Sequence, residues 1–431
     1  MSKQNILSAI DIGTEKVTTV ISASDSSGSL RILGVSSVPS KGIKKSQIVG
    51  LDGAIQAITD SVDAAERMAG VNIKHAVISV GGAHVESQNS KGVVAVANPE
   101  SEISTTDIDR VLEAARALSL PSGREILHVI PKEYKVDAQD GIKDPRGMSG
   151  IRLECEAHVI TVSSVSIRNI TKCIEELGIT PTAILFSGLA SARAVLSETE
   201  KELGVVVLDI GAGTTSMMVF VEGSPTITKV LPVGARHVTQ DIALGLKISL
   251  EAAEHIKLAL RRILTTPKPP EHETRDQARE RKKKEDELHL ETLGIVDGPS
   301  VVSKKFLVEG IIEPRIVELL KLVGKDLESN RLFEMVPAGV VITGGGSEIP
   351  SMIELSKKVL RLPTRVSRPA SMRGLTEEVS GPQFSTAVGL LLSSEDTFAQ
   401  DSTPNSGDGL NLQFLSSITK KLQQIIKQVF P

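Results

Sequence analysis

LSAIDIGTEKVTTVIS (residues 7–22) and VVVLDIGAGTTSMMVFV (residues 205–221) are two versions of one unit. Each reads as an apolar strand, Asp-Ile-Gly, a small polar turn and a second apolar strand. Runs of β-branched and apolar residues broken by Gly and Thr are strand and turn signals. Asp11 and Asp209 occupy equivalent places, 198 positions apart. A strand–DxG–strand unit that occurs twice predicts an α/β protein with two similar halves facing each other.

The turns of these units carry phosphate chemistry. Glycine lets backbone N–H groups approach an anion because no Cβ intervenes. Gly13, Thr14 and Lys16 form the first such turn, and Gly211, Gly213, Thr214 and Thr215 the second. Lys16 adds a point charge suited to a β- or γ-phosphate. Asp11 and Asp209 end their strands beside the turns, and two carboxylates there can hold Mg²⁺ through its waters. A third turn, Gly344, Gly345, Gly346 and Ser347, offers flat backbone to a base or an α-phosphate. On a helix expected over residues 250–264, Glu254 and Lys257 share a face and can reach ribose hydroxyls. Each signal alone is weak, since a lone DxG most often just ends a strand and a Glu/Lys pair is most often a surface ion pair. No Walker A pattern and no GxGxxG occurs. The ordered set carries the specificity.

Composition bounds the rest. A chain of 431 residues predicts two to three domains. A net charge of −4 argues against binding nucleic acid through phosphates, and 2% aromatic residues leave few platforms for stacking bases. Cys155 and Cys173 cannot form a disulfide framework, which points to a reducing cytosol. The N-terminus does not read as a signal peptide, and no apolar stretch is long enough to span a bilayer. His128 and His158 have no ligand-spaced partners and read as core or turn residues. Further helices are expected over 106–118 and 165–177. Residues 339–349 read as strand, glycine turn and helix start, with Pro350 in the first turn. From Glu271 to Glu287, seven acids and six bases fall among 17 residues, a balance expected of a solvated loop or exposed charged helix.

The C-terminal segment has a separate pattern. Residues 394–409, SEDTFAQDSTPNSGDG, read as a flexible linker. Residues 410–431 read as an amphipathic helix. At about 100° per residue, Phe414, Leu415, Ile418, Leu422, Ile425, Ile426 and Val429 fall on one face, with Phe430 at its margin. Lys420 and Lys427 lie opposite, Lys421 lies just beyond the apolar face, and no acid is present. Such a helix suits the headgroup plane of an anionic membrane.

The ordered phosphate set resembles the actin-like ATPase superfamily of actin, sugar kinases and heat-shock chaperones. SVGGAHVESQNSKGVVAV (79–96), HVIPKEYKVDAQDGIKDPRGMSGIRLECEAHVIT (128–161), FSGLASARAVLSETEKELGVVVLDIGAGTT (186–215), IIEPRIVELL (311–320) and FSTAVGLL (384–391) resemble the FtsA family within it. The resemblance covers about residues 5–392. It implies an actin-like two-lobed ATPase fold with duplicated ribonuclease-H-like domains, an FtsA-type inserted subdomain and a C-terminal amphipathic helix.

The implied first core is 5–81 with 162–200 and 367–393, and the insertion is 82–161. The implied second core is 201–244 with 336–366. Residues 245–335, including a charged insertion at 267–290, form its second subdomain. Then come the linker 394–409 and the membrane-targeting helix 410–431. The resemblance further implies ATP and Mg²⁺ as ligands and head-to-tail self-association into filaments. It implies docking of the FtsZ C-terminal tail near Lys304, Lys305 and Arg315, and binding of downstream division proteins around residues 106–136. Its implied location is peripheral, on the cytoplasmic face of the membrane at the division site.

Two departures bear on catalysis. Many superfamily members place a Glu or Gln where this chain reads Phe186-Ser187-Gly188-Leu189, and an Asp where it has Ser216. Slow or negligible hydrolysis is therefore expected. The alternatives are a phosphotransferase or soluble ATPase of the same fold, and a pilus-assembly relative without a membrane foot.

Overall fold

The computed structural model describes residues 5–24, 29–97, 102–263, 284–296, 298–370, 372–375 and 377–402. Two sheets repeat one plan. In the first, Asn5–Ile12 pairs antiparallel with Lys16–Ser24 and parallel with His75–Val80. In the second, Val205–Ile210 pairs antiparallel with Thr215–Val221 and parallel with Val340–Thr343. Each sheet adds an outer antiparallel strand, Leu30–Pro39 or Ser224–Leu231, and an outer parallel strand, Thr180–Phe186 or Thr364–Val366. The duplicated DxG hairpin is thus the centre of a duplicated sheet.

Alternation along the strands decides where each face goes. Ile10, Ile12, Val17 and Ile21 face the helix Leu51–Ala69, which offers Ala54, Ala57, Ile58, Val62 and Ala65. Val206, Leu208, Ile210, Met217 and Val219 face the outer helices of the second lobe. The remaining faces meet in one shared core. Leu7, Ala9 and Val20 of the first sheet join Val205, Val207, Met218 and Phe220 of the second. Helices Ser187–Val195 and Ser385–Ser402 fill the space between them with Ala190, Ala192, Ala387, Val388 and Leu391. The two helices cross so tightly that a Cβ on Gly389 would lie 1.8 Å from the Ala190 carbonyl oxygen.

Between the first lobe's strands lies a four-stranded sheet of Glu86–Ala95, Arg152–Ser163, Arg124–Val136 and Gln139–Ile142. Helix Thr105–Arg116 covers it, capped by Ser104 and Asp107 in a reciprocal box. The helices expected over 106–118, 165–177 and 250–264 are Thr105–Arg116, Ser164–Glu175 and Leu250–Ile263.

Three expectations need correction. Helix Ser385–Ser402 runs nine residues into the span expected as a flexible linker, because Ser394 to Ser402 contain no Pro or Gly to stop it. Pro350 precedes its helix rather than lying in the first turn, since the helix is Met352–Leu360 with Ser351 as its cap. The charged segment ends sooner than expected: Glu287–His289 pairs with Val301–Ser303, and Leu288 and Leu290 are buried in the second lobe. Residues 267–283 and the amphipathic segment 410–431 lie outside the described residues.

Candidate functional site: two hairpins and a glycine turn

The two DxG hairpins meet tip to tip. The Ser46 N–H donates to Thr14 Oγ1 at 2.9 Å, and Ser46 Oγ lies 3.4 Å from Thr214 Oγ1. A Cβ on Gly213 would sit 2.9 Å from the Thr14 side chain and 3.2 Å from Lys45 Cα. Lys45 and Ser46 both adopt left-handed backbone (φ 50° and 59°), a conformation that non-glycine residues hold at some cost. Arg236 and Glu15 add an ion pair at 3.8 Å across the same gap.

Asp11 and Asp209 flank this junction, each steadied by hydroxyls. Ser79 Oγ donates to Asp11 at 2.7 Å and itself accepts the Ile12 N–H at 2.9 Å. Ser191 Oγ donates to Asp209, and Thr386 Oγ1 does so at 3.1 Å. Burial pushes the Asp11 carboxyl up to about 6; the Asp209 charge adds to this, while the Ser79 hydrogen bond and Lys16 oppose it. Burial likewise raises Asp209 against the pull of Ser191 and Thr386. Ionising both carboxyls in one place is costly, and a cation between them would offset that cost. Among the described residues no group of three or more His, Cys, Asp or Glu could hold a metal ion. The two-carboxylate set fits Mg²⁺, which keeps several of its waters and takes few protein ligands.

Lys16 lies beside Asp11, with its ammonium 4.0 Å from the centre of the Phe384 ring. Burial lowers its pKa and the Asp11 charge works the other way. Gly13 and Gly211 shape their turns, since a Cβ on Gly13 would come within 2.8 Å of the Lys16 carbonyl oxygen. Thr214 faces the junction. The Thr215 hydroxyl instead donates to the Val233 carbonyl at 2.8 Å, inside its own lobe.

The third turn packs directly on the second hairpin. Gly344 is left-handed (φ 82°), and a Cβ there would lie 2.3 Å from Asp209 Oδ1. Ser347 is buried and donates to the Gly344 carbonyl at 2.7 Å, so its hydroxyl holds the turn's shape. Gly346 is buried against Ile210, whereas Gly345 is exposed. On helix Leu250–Ile263, the Lys257 ammonium is taken up by Glu254 at 2.7 Å and Thr239 at 2.9 Å. Lys257 therefore anchors Glu254, which is the more exposed of the two.

The three residues expected to meet a partner lie elsewhere, in the second lobe. Arg315 is held by Asp241 at 2.7 and 2.9 Å and by Glu318 at 2.5 Å. It braces helix Glu313–Ser329 against Ala235–Leu246. The Lys304 ammonium donates to the Glu285 carbonyl at 2.5 Å, and the Lys305 side chain is exposed.

Sequence reasoning missed Ser79, Ser191, Thr386 and Ser46. All are small hydroxyl residues on strand ends, helices or turns, where their type carries no signal of its own. Ser191 and Thr386 come from the two helices that cross between the lobes, so only the fold brings them to Asp209.

Comparison with known proteins bears on identity. The family model described as "SHS2 domain inserted in FTSA" matches residues 82–161, and "Cell division protein FtsA" matches 206–389. A cell division protein FtsA of Pseudomonas aeruginosa is 37% identical over 390 residues, covering 89% of this chain and 88% of that one. One from Bacillus subtilis is 37% identical over 392 residues, covering 91% and 84%. Among solved structures, the PilM-PilN type IV pilus biogenesis complex aligns with a TM-score of 0.61 at 17% identity, covering 90% of this chain and 97% of that one. MreB5 of Spiroplasma citri bound to ADP aligns at 0.51 with 13% identity, covering 93% and 99%. These structural likenesses establish the actin-like fold. The inserted subdomain and an identity above one third along nine-tenths of the sequence establish more: the chain belongs to the FtsA family of cell division proteins.

Proposed function

We propose that the protein binds ATP with Mg²⁺ between its lobes and works as a membrane-tethered filament subunit of the division ring. One observation carries the nucleotide reading. Two DxG turns meet with their carboxylates both raised by burial, beside a glycine turn and the Glu254–Lys257 helix. In this reading Gly13, Thr14, Gly211, Gly213 and Thr214 offer hydrogen bonds to phosphates, and Lys16 supplies charge. Asp11 and Asp209 hold Mg²⁺ through its waters. Glu254 meets the ribose, and Gly345 lies against the base. Bound ligand would join the hairpins and so favour the closed form.

Hydrolysis is expected to be slow. Ser187 and Ser216 occupy the positions where relatives of the superfamily carry water-orienting groups, and neither supplies a carboxylate or an amide. Losing a placed general base costs about 10²–10⁴-fold in rate. We expect turnover below about one per minute; a purified protein well above that would overturn this part of the reading.

Membrane attachment rests on the amphipathic pattern of residues 410–431. No helix among the described residues is long and apolar enough to cross a membrane. Attachment would place head-to-tail filaments at the cytoplasmic face of the division site. There the second lobe's Lys305 and its surroundings would meet the FtsZ tail. At Arg315 a partner carboxylate must compete with Asp241 and Glu318. The test is co-sedimentation with anionic vesicles in Mg–ATP, comparing the full chain with a version ending at Gly409. Binding by the full chain alone supports the foot, and equal behaviour of both removes it.

A further inference from the structure

Two buried oxygens have no hydrogen-bond partner among the described residues, one on a residue three positions after the exposed Gly345 and one on an amide packed against Gly381. They are Glu348 Oε2 and Gln383 Oε1. Buried polar atoms are rarely left unpaired, so an orphaned pair beside a candidate ligand site is informative. The orphan on Glu348 is not for lack of neighbours. Its other oxygen takes both cations in reach, Arg261 closely and Arg368 at 4.0 Å. Arg261 lies on helix Leu250–Ile263, one turn beyond Lys257, so this ion pair closes the helix onto the glycine turn. On the other side, the Gly344 N–H donates to the Pro382 carbonyl at 3.2 Å, and Thr343 Oγ1 pairs with Ser385 Oγ at 2.7 Å. These bonds fix the Pro382–Phe384 turn beside Gly345, with Gln383 Cβ 3.7 Å from where a Cβ on Gly345 would stand.

We propose that Glu348 is a specificity-determining residue of the nucleotide site, its free oxygen accepting a hydrogen bond from the amino group of an adenine-type base. The inference rests on the nucleotide reading above and sharpens it. An ionised carboxylate accepts and cannot donate. It therefore rewards a base with an amino group and penalises one with a carbonyl in that place. Gln383 can turn either end of its amide to a ligand, so it adapts where Glu348 selects. A site built around a hydrogen bond rejects an analogue lacking it, because its own polar atom is then left buried and unpaired.

The experiment is calorimetric titration of the full chain with three Mg-bound nucleotides. These are ATP, purine riboside triphosphate (which lacks the 6-amino group) and inosine triphosphate (which has a carbonyl there). We expect ATP to bind about 10- to 100-fold more tightly than either analogue. In Glu348→Gln one amide oxygen can stay on Arg261 while the NH₂ replaces the free oxygen. The ATP-to-inosine ratio should then fall about 10-fold or more. Each ratio is taken on one protein preparation, so partial unfolding cancels. Gln383→Leu, which removes the adaptable amide, should weaken ATP and inosine triphosphate alike and leave their ratio unchanged, so a ratio that falls there instead would move the selection from Glu348 to Gln383. Equal binding of all three nucleotides by the wild type overturns this inference and leaves the nucleotide reading standing. Binding of none overturns both. An unchanged ratio in Glu348→Gln removes Glu348 as the determinant.

Discussion

Asp11 shows how a single residue can be kept at a cost to folding. Its carboxyl is moved up to about 6 by burial, with Asp209 contributing. A carboxyl whose folded pKa exceeds its unfolded value near 3.8 holds its proton more tightly when folded. Stability therefore falls as pH rises from about 4 to about 6 and stays lower above that. Asn in its place has no charge to bury and can still accept from Ser79. Asp11→Asn should thus be more stable than wild type at pH 7.5, by on the order of 2 kcal/mol, and the two should converge near pH 4. Urea unfolding without nucleotide at both pH values reads this directly. A variant that is less stable at pH 7.5 would show that burial of Asp11 is not the governing effect. With Mg–ATP present the order should reverse, because only the wild type has two carboxylates to place the ion. Gly344 belongs to the same scale: its left-handed backbone and its contact with Asp209 leave no room for any side chain.

The four-stranded insertion is held to the second lobe by a polar seam between two elements. Ser87 Oγ, on one sheet's edge strand, donates to the Thr228 carbonyl at 2.9 Å and accepts the Thr228 N–H at 3.0 Å. His158 bonds Asn89 Oδ1 at 2.7 Å and Thr228 Oγ1 at 2.9 Å, and is fully buried. Thr228→Val keeps the shape and strands the imidazole nitrogen, at a cost of about 1–3 kcal/mol. Thr228→Ser keeps the hydroxyl and should cost less than about 1 kcal/mol. Urea midpoints at pH 7.5 separate the two, and a loss in Thr228→Ser as large as that in Thr228→Val would mean that the hydroxyl contributes no more than the methyl. Burial lowers His158 to about 4, so its share of stability is full above pH 6.5 and lost as pH falls toward 4. Much of this scale was legible in the sequence. Runs of β-branched and apolar residues around the DxG turns located both hairpins, and three of the helices were legible, at 106–118, 165–177 and 250–264. Of the two histidines read as core or turn residues, His158 is in the core, and His128 is half-buried on a strand, where its Nε2 accepts the Phe186 N–H at 3.0 Å. The seam itself was illegible, because Ser87, Asn89, His158 and Thr228 are ordinary strand residues until two sheets meet edge to edge. The continuation of helix Ser385–Ser402 was misread because acids and small polar residues suit a linker and a solvated helix equally.

At the scale of the whole molecule, the two lobes share a core but meet at the candidate site through a few atoms. Helices Ser187–Val195 and Ser385–Ser402 belong to both sheets, so they can act as the axis about which the hairpins approach or part. Their crossing at Gly389 and Ala190 leaves the axis little freedom to slide. What closes the far side is the contact of Gly213 with Thr14 and Lys45, together with the bonds made by Ser46. Gly213 is not left-handed, so a larger residue suits its backbone, and the neighbours nearest its added Cβ lie on the opposite lobe. Gly213→Val is therefore a wedge aimed at closure rather than at folding. Overpacking of about 1–3 kcal/mol should weaken Mg–ATP binding about 5- to 150-fold. The far-ultraviolet circular dichroism should stay that of the wild type, while the radius of gyration from small-angle scattering in Mg–ATP should rise. If binding weakens without any change in scattering, the wedge acts locally on the phosphate turn and the lobes do not open. If neither changes, the contact between the hairpins does not limit closure, and the ligand must be held by one lobe at a time.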